Sequence, residues 1–444
     1  MRAETVRRSA ETVSAIERAI AHFRGHPTLL ELHCGVQHYD WGSFDAIPRL
    51  LHRKAAARQP YAELWMGAHP DLPAKVVIQH QVIPLNRLID GAAETVLGQE
   101  TAKRFHRQLP FLFKVLSARK PLSIQAHPSK ETAEEGFARE NALNIAITDK
   151  NRNYKDSNHK PEMITALTDF YALCGFRPLR EIAATLAAIP EFRGLAADFE
   201  ATTASLQRLY GRLLSLPQQQ VNAVLTPFVD RLTKENVARP FDKDDFAYWV
   251  LVADRAFSRH IDKDRGLFSI CLLNLVHLEP GQAMFLPAGV LHGYLQGTGL
   301  EVMANSNNVL RGGLTAKHVD VKELLRIMEF ASRPPNLVKG KAEEAQPAAA
   351  VYQTPVEEFE LVRLDVSVRR HYICGPDHGV HITIVIEGLV QVSSSDGTNT
   401  RFSSGRVFLV PSSVAYEIAA ESEAILFQAR VPTTRGQDAG VRKT

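Results

Sequence analysis

The sequence predicts a mainly β protein that is interrupted by an α-helical domain and followed by a second β domain. Between about residues 31 and 176, short apolar runs such as LPAKVVI and PFLFKVL are separated by polar turns and carry little helical periodicity. In residues 180–265, apolar residues recur every three or four positions, as in ASLQRLYGRLLSL, which indicates helices. Towards the C-terminus, alternating apolar residues broken by EG, SDG and SSG turns indicate a small antiparallel barrel or sandwich.

These patterns define the expected domain boundaries. We expect an N-terminal helical extension at 1–30, a first β domain in two parts at 31–178 and 266–333, a helical domain at 179–265, a linker at 334–350, a second β domain at 351–432 and a polar tail at 433–444. The linker is predicted because ASRPPNLVKGKAEEAQPAAA is rich in Pro, Lys, Glu and Ala and has no periodicity.

The two β domains share a local pattern, seen in LEPGQAMFLPAGVLHGYL and FSSGRVFLVPSSVAYEI. In each segment a glycine precedes an apolar strand, a proline and another strand, so one fold for both domains is expected. The second segment has Ala415 and Tyr416 around the place where the first has His292. We therefore assign no metal to the second β domain.

Composition excludes several classes of protein. The 444 residues are 45% hydrophobic and 23% charged, as in soluble globular proteins of several domains. With 52 basic and 49 acidic residues and no long basic run, nothing indicates a nucleic-acid partner, and no stretch approaches the ~20 apolar residues of a membrane helix. The four cysteines include no CxxC pair, and the first 24 residues lack a secretory core. A cytoplasmic monomer is expected.

Three separate segments together supply four candidate metal ligands. In LSIQAHPSK, Gln125 and His127 are two positions apart, and residues at that spacing share one face of a strand. In NHKPEMITAL, Glu162 follows Pro161 at the start of an apolar run, and in PAGVLHGYL, His292 lies between glycines. Each residue alone is more often structural than functional. Together, two imidazoles, a carboxylate and an amide oxygen suit zinc or a related divalent ion with one open position, which implies catalysis.

Several long motifs resemble those of the type I mannose-6-phosphate isomerase family. They are YAELWMGAHP, PFLFKVLSARKPLSIQAHPSK, NHKPEM, ALCGF and EVMANSNNVLRGGLTAKHVDV, spread over residues 31–330. The resemblance implies a cupin-type catalytic barrel of jelly-roll form, interrupted by the helical domain and followed by a second cupin-like domain. It also implies an aldose–ketose isomerase that interconverts mannose 6-phosphate and fructose 6-phosphate with one zinc ion per chain. The family's zinc ligands fall on the same four residues, Gln125, His127, Glu162 and His292.

The resemblance further implies a set of substrate-binding residues. The family's active-site arginine falls on Arg311 in NVLRGGLT, and Lys114, Ser123 and Lys317 fall in motifs near the sugar or its phosphate. Trp41 is a further expected substrate-binding residue.

Two positions depart from the commonest form of the family motifs. Asn307 stands where Asp is usual, four residues before Arg311, so the local arrangement of that arginine is in doubt. Ser129 stands where Asp is frequent. Neither residue is an expected zinc ligand.

The expected reaction moves a proton from C2 to C1 of the open-chain sugar through an enediolate. Arg311 or Lys160 can supply positive charge to stabilise that intermediate. The general base is either His159, with an intrinsic pKa near about 6.5, or Glu301, whose pKa would need to be raised by burial. The sequence leaves this choice open.

Three other functions compete with the isomerase. A non-catalytic sugar-binding or regulatory cupin is the main alternative, and the intact Gln, His, Glu and His set argues against it. A metal-dependent dioxygenase typically presents more histidines to its metal. A bifunctional isomerase and sugar-nucleotide transferase is disfavoured because no GxxxxGK phosphate loop occurs.

Overall fold

The structure, a computed structural model, describes residues 2–259, 261–344 and 346–432. Within these residues the chain forms 24 strands and 11 α-helices, which confirms the prediction of a mainly β protein with helices. No described helix is both long enough and apolar enough to cross a membrane. The polar tail predicted at 433–444 lies outside the described residues.

The first part of the chain contains a long helix followed by nine strands. Its elements are α1 Arg2–Gly25, β1 Leu30–Glu31, β2 Gly35–Gln37, α2 Ala46–Leu50, β3 Glu63–Met66, β4 Lys75–Ile78, β5 Gln81–Pro84, α3 Leu85–Leu97, α4 Gln99–Arg104, β6 Phe111–Ala118, β7 Ile124–Ala126, α5 Lys130–Ala142, β8 Glu162–Ala166 and β9 Phe170–Phe176. Every residue of β6 and β8 is buried, so both faces of these strands are covered.

The middle of the chain is helical as far as Leu272 and then returns to strands. Its elements are α6 Leu179–Ala188, a 3-10 helix Pro190–Phe192, α7 Thr203–Ser215, α8 Gln218–Ala238, α9 Phe246–Phe257, α10 Gly266–Leu272, β10 Leu273–Leu278, β11 Ala283–Leu286, β12 His292–Ala304, β13 Leu310–Gly313 and α11 Val321–Ile327. The side chains of Thr202, Asp245 and Asp320 accept hydrogen bonds from first-turn N–H groups and so fix the starts of α7, α9 and α11.

The last part of the described chain consists of strands. They are β14 Asn336–Val338, β15 Lys341–Glu343, β16 Gln346–Tyr352, β17 Glu360–Val366, β18 Tyr372–Cys374, β19 His381–Glu387, β20 Leu389–Ser394, β21 Asn399–Ser403, β22 Val407–Val410, β23 Tyr416–Ala420 and β24 Ala424–Arg430. Alternating buried and half-buried residues in β23 match the period of two expected for a strand with one buried face.

Two large sheets organise the molecule. An 11-stranded sheet follows the path β14–β11–β8–β12–β6–β3–β2, with β7, β9, β10 and β13 joined beside it. A seven-stranded sheet has the order β1–β22–β19–β24–β17–β16–β15, and smaller sheets are formed by β18–β23–β20–β21 and by β4–β5. Strand β1 pairs with β22, with Leu30 opposite Leu409. Segments almost 380 residues apart in the sequence therefore share one sheet.

The structure corrects two interpretations of the sequence. Helices α3, α4 and α5 lie within the segment that was expected to be β. The buried residues of α3 recur at helical spacing: Leu85, Leu88, Ile89, Ala92, Ala93, Val96 and Leu97. The segment 334–350, interpreted as a linker, contains β14, β15 and the start of β16. Strand β14 pairs with β11, and β16 pairs with β17. This segment is therefore ordered by backbone hydrogen bonds to other strands, although its side chains show no periodic pattern.

Helix α1 packs on α3 through its C-terminal half. Ala19, Ile20 and Phe23 are at most 6% exposed and belong to the core that also holds residues of α3 and β5. A Cβ atom at Gly91 of α3 would lie only 2.7 Å from Ile20 Cγ2. A glycine at this position therefore lets the two helices approach closely, and α1 is part of the core.

Truncation of Phe23 tests this packing. The side chain is 1% exposed, so Phe23→Ala leaves a cavity and should lower the free energy of unfolding by about 3–5 kcal/mol. Chemical denaturation followed by circular dichroism measures the change. Glu17→Ala, at an exposed position of the same helix, should shift the transition little; equal shifts in the two variants would contradict the packing.

Candidate active site

Strand β12 brings the candidate site residues together. His292, its first residue, lies opposite Gln125 of β7, and Glu301 lies opposite Lys114 of β6. Glu162, the first residue of β8, pairs with a residue near the other end of β12. Segments that are distant in the sequence therefore supply side chains to one region of the 11-stranded sheet.

Two histidines converge on one carboxylate in the interior. His127 Nε2 lies 3.3 Å from Glu162 Oε1, and His292 Nε2 lies 3.4 Å from Glu162 Oε2. All three residues are 1% exposed. The Nδ1 atoms lie 2.8 Å from the carbonyl oxygen of Asn308 and 3.0 Å from that of Val290. Because a carbonyl oxygen only accepts, each Nδ1 carries a proton, and in the neutral form of each ring Nε2 keeps the lone pair.

This arrangement fits a metal cation. His127 Nε2, Glu162 Oε2 and His292 Nε2 are buried atoms that have no hydrogen-bond partner in the described structure. Burial lowers the pKa of His127 to about 4, although Glu162 acts in the opposite direction, so this imidazole is neutral. A metal ion would satisfy the three facing acceptor atoms, and two imidazoles with a carboxylate suit zinc.

Lys160 is the cation nearest to this cluster. Its Nζ atom lies 2.9 Å from Glu162 Oε1, and the residue is 9% exposed. Although burial raises the pKa of Glu162, Lys160 and His127 hold it well below its usual value. The carboxylate is therefore charged.

A cavity of about 590 Å³ opens beside the cluster. Nine of the residues expected at the site line its wall: Trp41, Lys114, Ser123, Gln125, Lys160, Glu162, Glu301, Arg311 and Lys317. His127 and His292 are not part of the lining; they lie behind the wall, next to Glu162. This cavity therefore gives access to Glu162 from outside.

A second buried carboxylate lies on the cavity wall. Glu301 accepts hydrogen bonds from Lys114 Nζ at 2.8 Å and from Tyr294 Oη at 3.0 Å. Lys114 also lies 3.7 Å from Glu63. Burial raises the pKa of Glu301, against the opposing charge of Lys114. A carboxyl group with a raised pKa facing a cavity is suited to proton transfer.

The cavity also carries two cations that are suited to an anion. Burial lowers the pKa of Arg311, and burial together with Arg311 lowers the pKa of Lys317. In the described structure no carboxylate contributes to either shift. The site therefore has positive charge that a bound phosphate can neutralise.

The loop before Arg311 is held by Asp156. The backbone N–H of Asn307 donates to Asp156 Oδ2 at 2.7 Å, and Ser306 Oγ donates to Asp156 Oδ1 at 2.8 Å. The carboxylate that orders this loop is thus that of Asp156, from another segment of the chain. The side chain of Asn307 takes no part in these two hydrogen bonds. Ser129, the other position that differs from the common family motif, caps α5 because its side chain accepts a hydrogen bond from the backbone N–H of Thr132.

His159 is separated from the other expected residues. Its Nε2 atom lies 2.6 Å from Oε1 of Glu358, which comes from the loop between β16 and β17. His159 is not part of the cavity lining. The contact instead joins the segment before Glu162 to the C-terminal strands.

Sequence reasoning missed several residues of the cavity wall, among them Glu63, Trp65, His69, Tyr294 and Arg259. The first three lie in YAELWMGAHP, one of the motifs that carry the family resemblance. Tyr294 follows His292 by two positions on the same strand, so the period of two places both on one face. Arg259 comes from the helical part of the chain and carries no local signal.

The fold and the site define a mainly β, metal-binding enzyme with a polar cavity beside the metal ligands. The model of the phosphomannose isomerase type I catalytic domain matches residues 29–179. Because relatives named mannose-6-phosphate isomerase are also 36% to 41% identical to it over most of their length, the chain belongs to the type I phosphomannose isomerase family.

Similarity to individual relatives extends over most of the chain. The chain is 41% identical to mannose-6-phosphate isomerase of Escherichia coli (strain K12) over 335 residues, which cover 75% of this chain and 82% of that protein. It is 36% identical to the Homo sapiens mannose-6-phosphate isomerase over 401 residues, or 84% and 90% of the two chains. The crystal structure of a mutant phosphomannose isomerase from Salmonella typhimurium matches with a TM-score of 0.82 at 33% identity, covering 91% of this chain and 100% of that one. A zinc-bound mannose 6-phosphate isomerase structure matches with the same values.

Proposed function

We propose that this chain interconverts mannose 6-phosphate and fructose 6-phosphate with one zinc ion held by Gln125, His127, Glu162 and His292. One observation carries the proposal: three buried acceptor atoms without hydrogen-bond partners converge beside a cavity lined by Arg311 and Lys317, for which no ion-pair partner is found among the described residues. The relatives named mannose-6-phosphate isomerase, and the zinc-bound structure among them, support it. A non-catalytic sugar-binding protein would not need the buried acceptor cluster, so that alternative is not favoured.

The domain organisation forms part of the same proposal. We infer a cupin-type catalytic barrel interrupted by the helices of residues 179–265 and followed by a second cupin-like domain. The match to phosphomannose isomerase structures over 91% of the chain supports this division. A cytoplasmic, monomeric protein without a nucleic-acid partner is also proposed, and the unpaired cysteines are in keeping with a reducing compartment.

Different residues of the cavity have different roles in the proposed reaction. A bound zinc ion supplies Lewis-acid stabilisation of negative charge on the sugar oxygens. Lys160 and Arg311 add fixed positive charge on the same wall, where the developing enediolate needs it. Trp41 and Ser123 line the cavity beside them and orient the sugar.

Glu301 is the proposed base for the proton that moves between C2 and C1. It lines the cavity, whereas His159 lies outside the lining and is paired with Glu358. Lys114 and Tyr294 hold the Glu301 carboxylate in place. The raised pKa of Glu301 brings it closer to the range that efficient general bases need.

A coupled assay for fructose 6-phosphate tests the activity and its dependence on metal. Activity should vanish after thorough chelation and return when zinc is added, because the charge that stabilises the enediolate is then restored. His292→Ala should contain less zinc and lose activity, while His277→Ala, at an exposed position of β10, should behave as the wild type. Full activity after verified removal of zinc would refute the proposal.

Substitution of the two candidate bases tests the assignment of Glu301. Glu301→Gln should lower kcat by about 10²- to 10⁴-fold, because the amide cannot accept the substrate proton. His159→Gln should lower it much less, since that side chain does not face the cavity. Steady-state kinetics of both variants decides between them; equal, mild losses would contradict Glu301 as the base.

Charge reversal at Lys317 tests the phosphate site. A charge-assisted hydrogen bond contributes about 1.5–3 kcal/mol, so Lys317→Glu should raise KM for mannose 6-phosphate by about 10- to 100-fold. Lys322→Glu, at an exposed position of α11, is the matched control. An unchanged KM in Lys317→Glu would remove this residue from the phosphate site.

A further inference from the structure

The loop at residues 312–317, which follows Arg311, forms part of the cavity wall outside the sheet. Arg311 pairs with Gln125 of β7, and this pairing ends at Gly313. Residues 314–317 belong to no strand or helix, yet all four of them line the cavity. Sheet hydrogen bonds therefore fix Arg311, but they do not fix Lys317.

The backbone of this loop is held by one carboxylate. The N–H of Leu314 donates to Asp264 Oδ1 at 2.8 Å, and that of Thr315 donates to Asp264 Oδ2 at 3.3 Å. Oδ1 also accepts from the N–H of Gly266 at 2.7 Å. The N–H of Lys317 donates to Thr315 Oγ1 at 3.1 Å. Lys317 is thus linked to Asp264 through Thr315.

The shape of the loop makes this support necessary. Leu314 has a φ of 51°, a left-handed conformation that residues other than glycine rarely adopt. Its side chain is 1% exposed and packs in the core that contains the helices of residues 179–265. The two hydrogen bonds to Asp264 and the burial of Leu314 together stabilise a bend that the backbone alone would not favour.

A close backbone contact joins the loop to α10. A Cβ atom at Gly266 would lie 2.6 Å from the backbone nitrogen of Leu314, and one at Gly313 would lie 2.5 Å from Gly266 Cα. Glycine at both positions therefore lets the loop and α10 approach closely. This contact brings the Asp264 carboxylate within hydrogen-bond distance of the loop.

Asp264 itself is fixed by the helical part of the chain. Its neighbour Lys263 forms an ion pair with Asp254 of α9 at 2.9 Å, and the Lys263 carbonyl oxygen accepts from Gln218 of α8 at 2.9 Å. The N–H of Asp264 donates to Ser258 Oγ at 3.3 Å. The position of Asp264 is therefore set by α8 and α9 and does not depend on the loop that it holds.

The two cations beside the cavity oppose this arrangement. Burial and the nearby charge of Arg311 lower the pKa of Lys317, so the two side chains repel each other. A loop without support would relieve the repulsion by moving Lys317 away from Arg311. Because Asp264 binds the backbone two residues before Lys317, it opposes this movement and keeps both charges in place for one anion.

We propose that Asp264 is a positioning residue, which holds the loop at residues 312–317 against the helices and so keeps Lys317 in place for the substrate phosphate. Asp264 is not part of the cavity lining, so it acts through the loop. The inference rests on the proposed function, because it takes the bound anion to be the phosphate of mannose 6-phosphate. It also gives the inserted helices a role in substrate affinity.

Steady-state kinetics of the full-length, zinc-loaded protein test this role. Asp264→Ala removes all three acceptor contacts and should raise KM for mannose 6-phosphate about 10-fold, because the charge-assisted hydrogen bond of Lys317 is weakened. The value of kcat should change little, since β13 still fixes Arg311. Asp264→Asn should stay close to the wild type, because its amide oxygen can accept from two of the three N–H groups. Asp262→Ala removes an exposed carboxylate that accepts from Asn222 and is the matched control.

A double-mutant cycle separates positioning from a merely structural role. Lys317→Ala should raise KM by itself, and Asp264→Ala should raise it no further in the double variant, because the ammonium group that Asp264 positions is then absent. Asp264→Ser, whose shorter side chain does not reach the loop, replaces Asp264→Ala if that variant does not fold. An unchanged KM in Asp264→Ala, or KM increases that multiply in the double variant, would overturn the proposal.

Titration calorimetry with inorganic phosphate measures the anion site without turnover. The affinity for phosphate should fall about 10-fold in Asp264→Ala and in Lys317→Ala, and it should be unchanged in Asp262→Ala. This result in a protein that does not isomerise mannose 6-phosphate would support the role of Asp264 and refute only the proposed reaction. Equal phosphate affinities in the wild type and Asp264→Ala would exclude the positioning role.

Discussion

Strand β12 is the element on which the active site depends. Its 13 residues pair with β6, β7, β8 and β9, so one continuous backbone fixes the spacing between His292 and Glu301. The facing strands then bring Gln125, Glu162 and Lys114 to set positions along it. Since each of these strands is short or fully buried, a shift of register by one residue would turn the ligands to the opposite face of the sheet.

The convergence of three acceptor atoms also has an energetic consequence. In the protein without metal, acceptor atoms of His127, His292 and Glu162 face one another without hydrogen-bond partners, and each of these residues is only 1% exposed. Lys160 offsets part of this repulsion through its ion pair with Glu162. Because a metal ion relieves the remainder, metal binding is coupled to the stability of the sheet as well as to activity. The arrangement that binds the metal therefore lowers the stability of the metal-free protein.

Much of the fold and part of the cavity could be predicted from the sequence. Local patterns predicted strands and the long helices of residues 179–265, and short motifs predicted nine of the residues that line the cavity. Helix α5 was missed because its exposed face is polar and few of its residues are buried. The position of His159 was not predictable, since its partner Glu358 is 199 residues away. Pairings of this kind depend on tertiary structure, which no local pattern contains.

The pairing of β1 with β22 has a consequence for how the chain is made. The partners of residues 30–31, Leu409 and Phe408, are synthesised almost 380 residues later. The β1–β22 pair cannot form before then, and apolar residues of α1 and α3 lie in the same core as residues of β22 and β24. Part of that core therefore lacks its covering strands until residues that are distant in the sequence have been made, which is the situation of a fold with many long-range contacts.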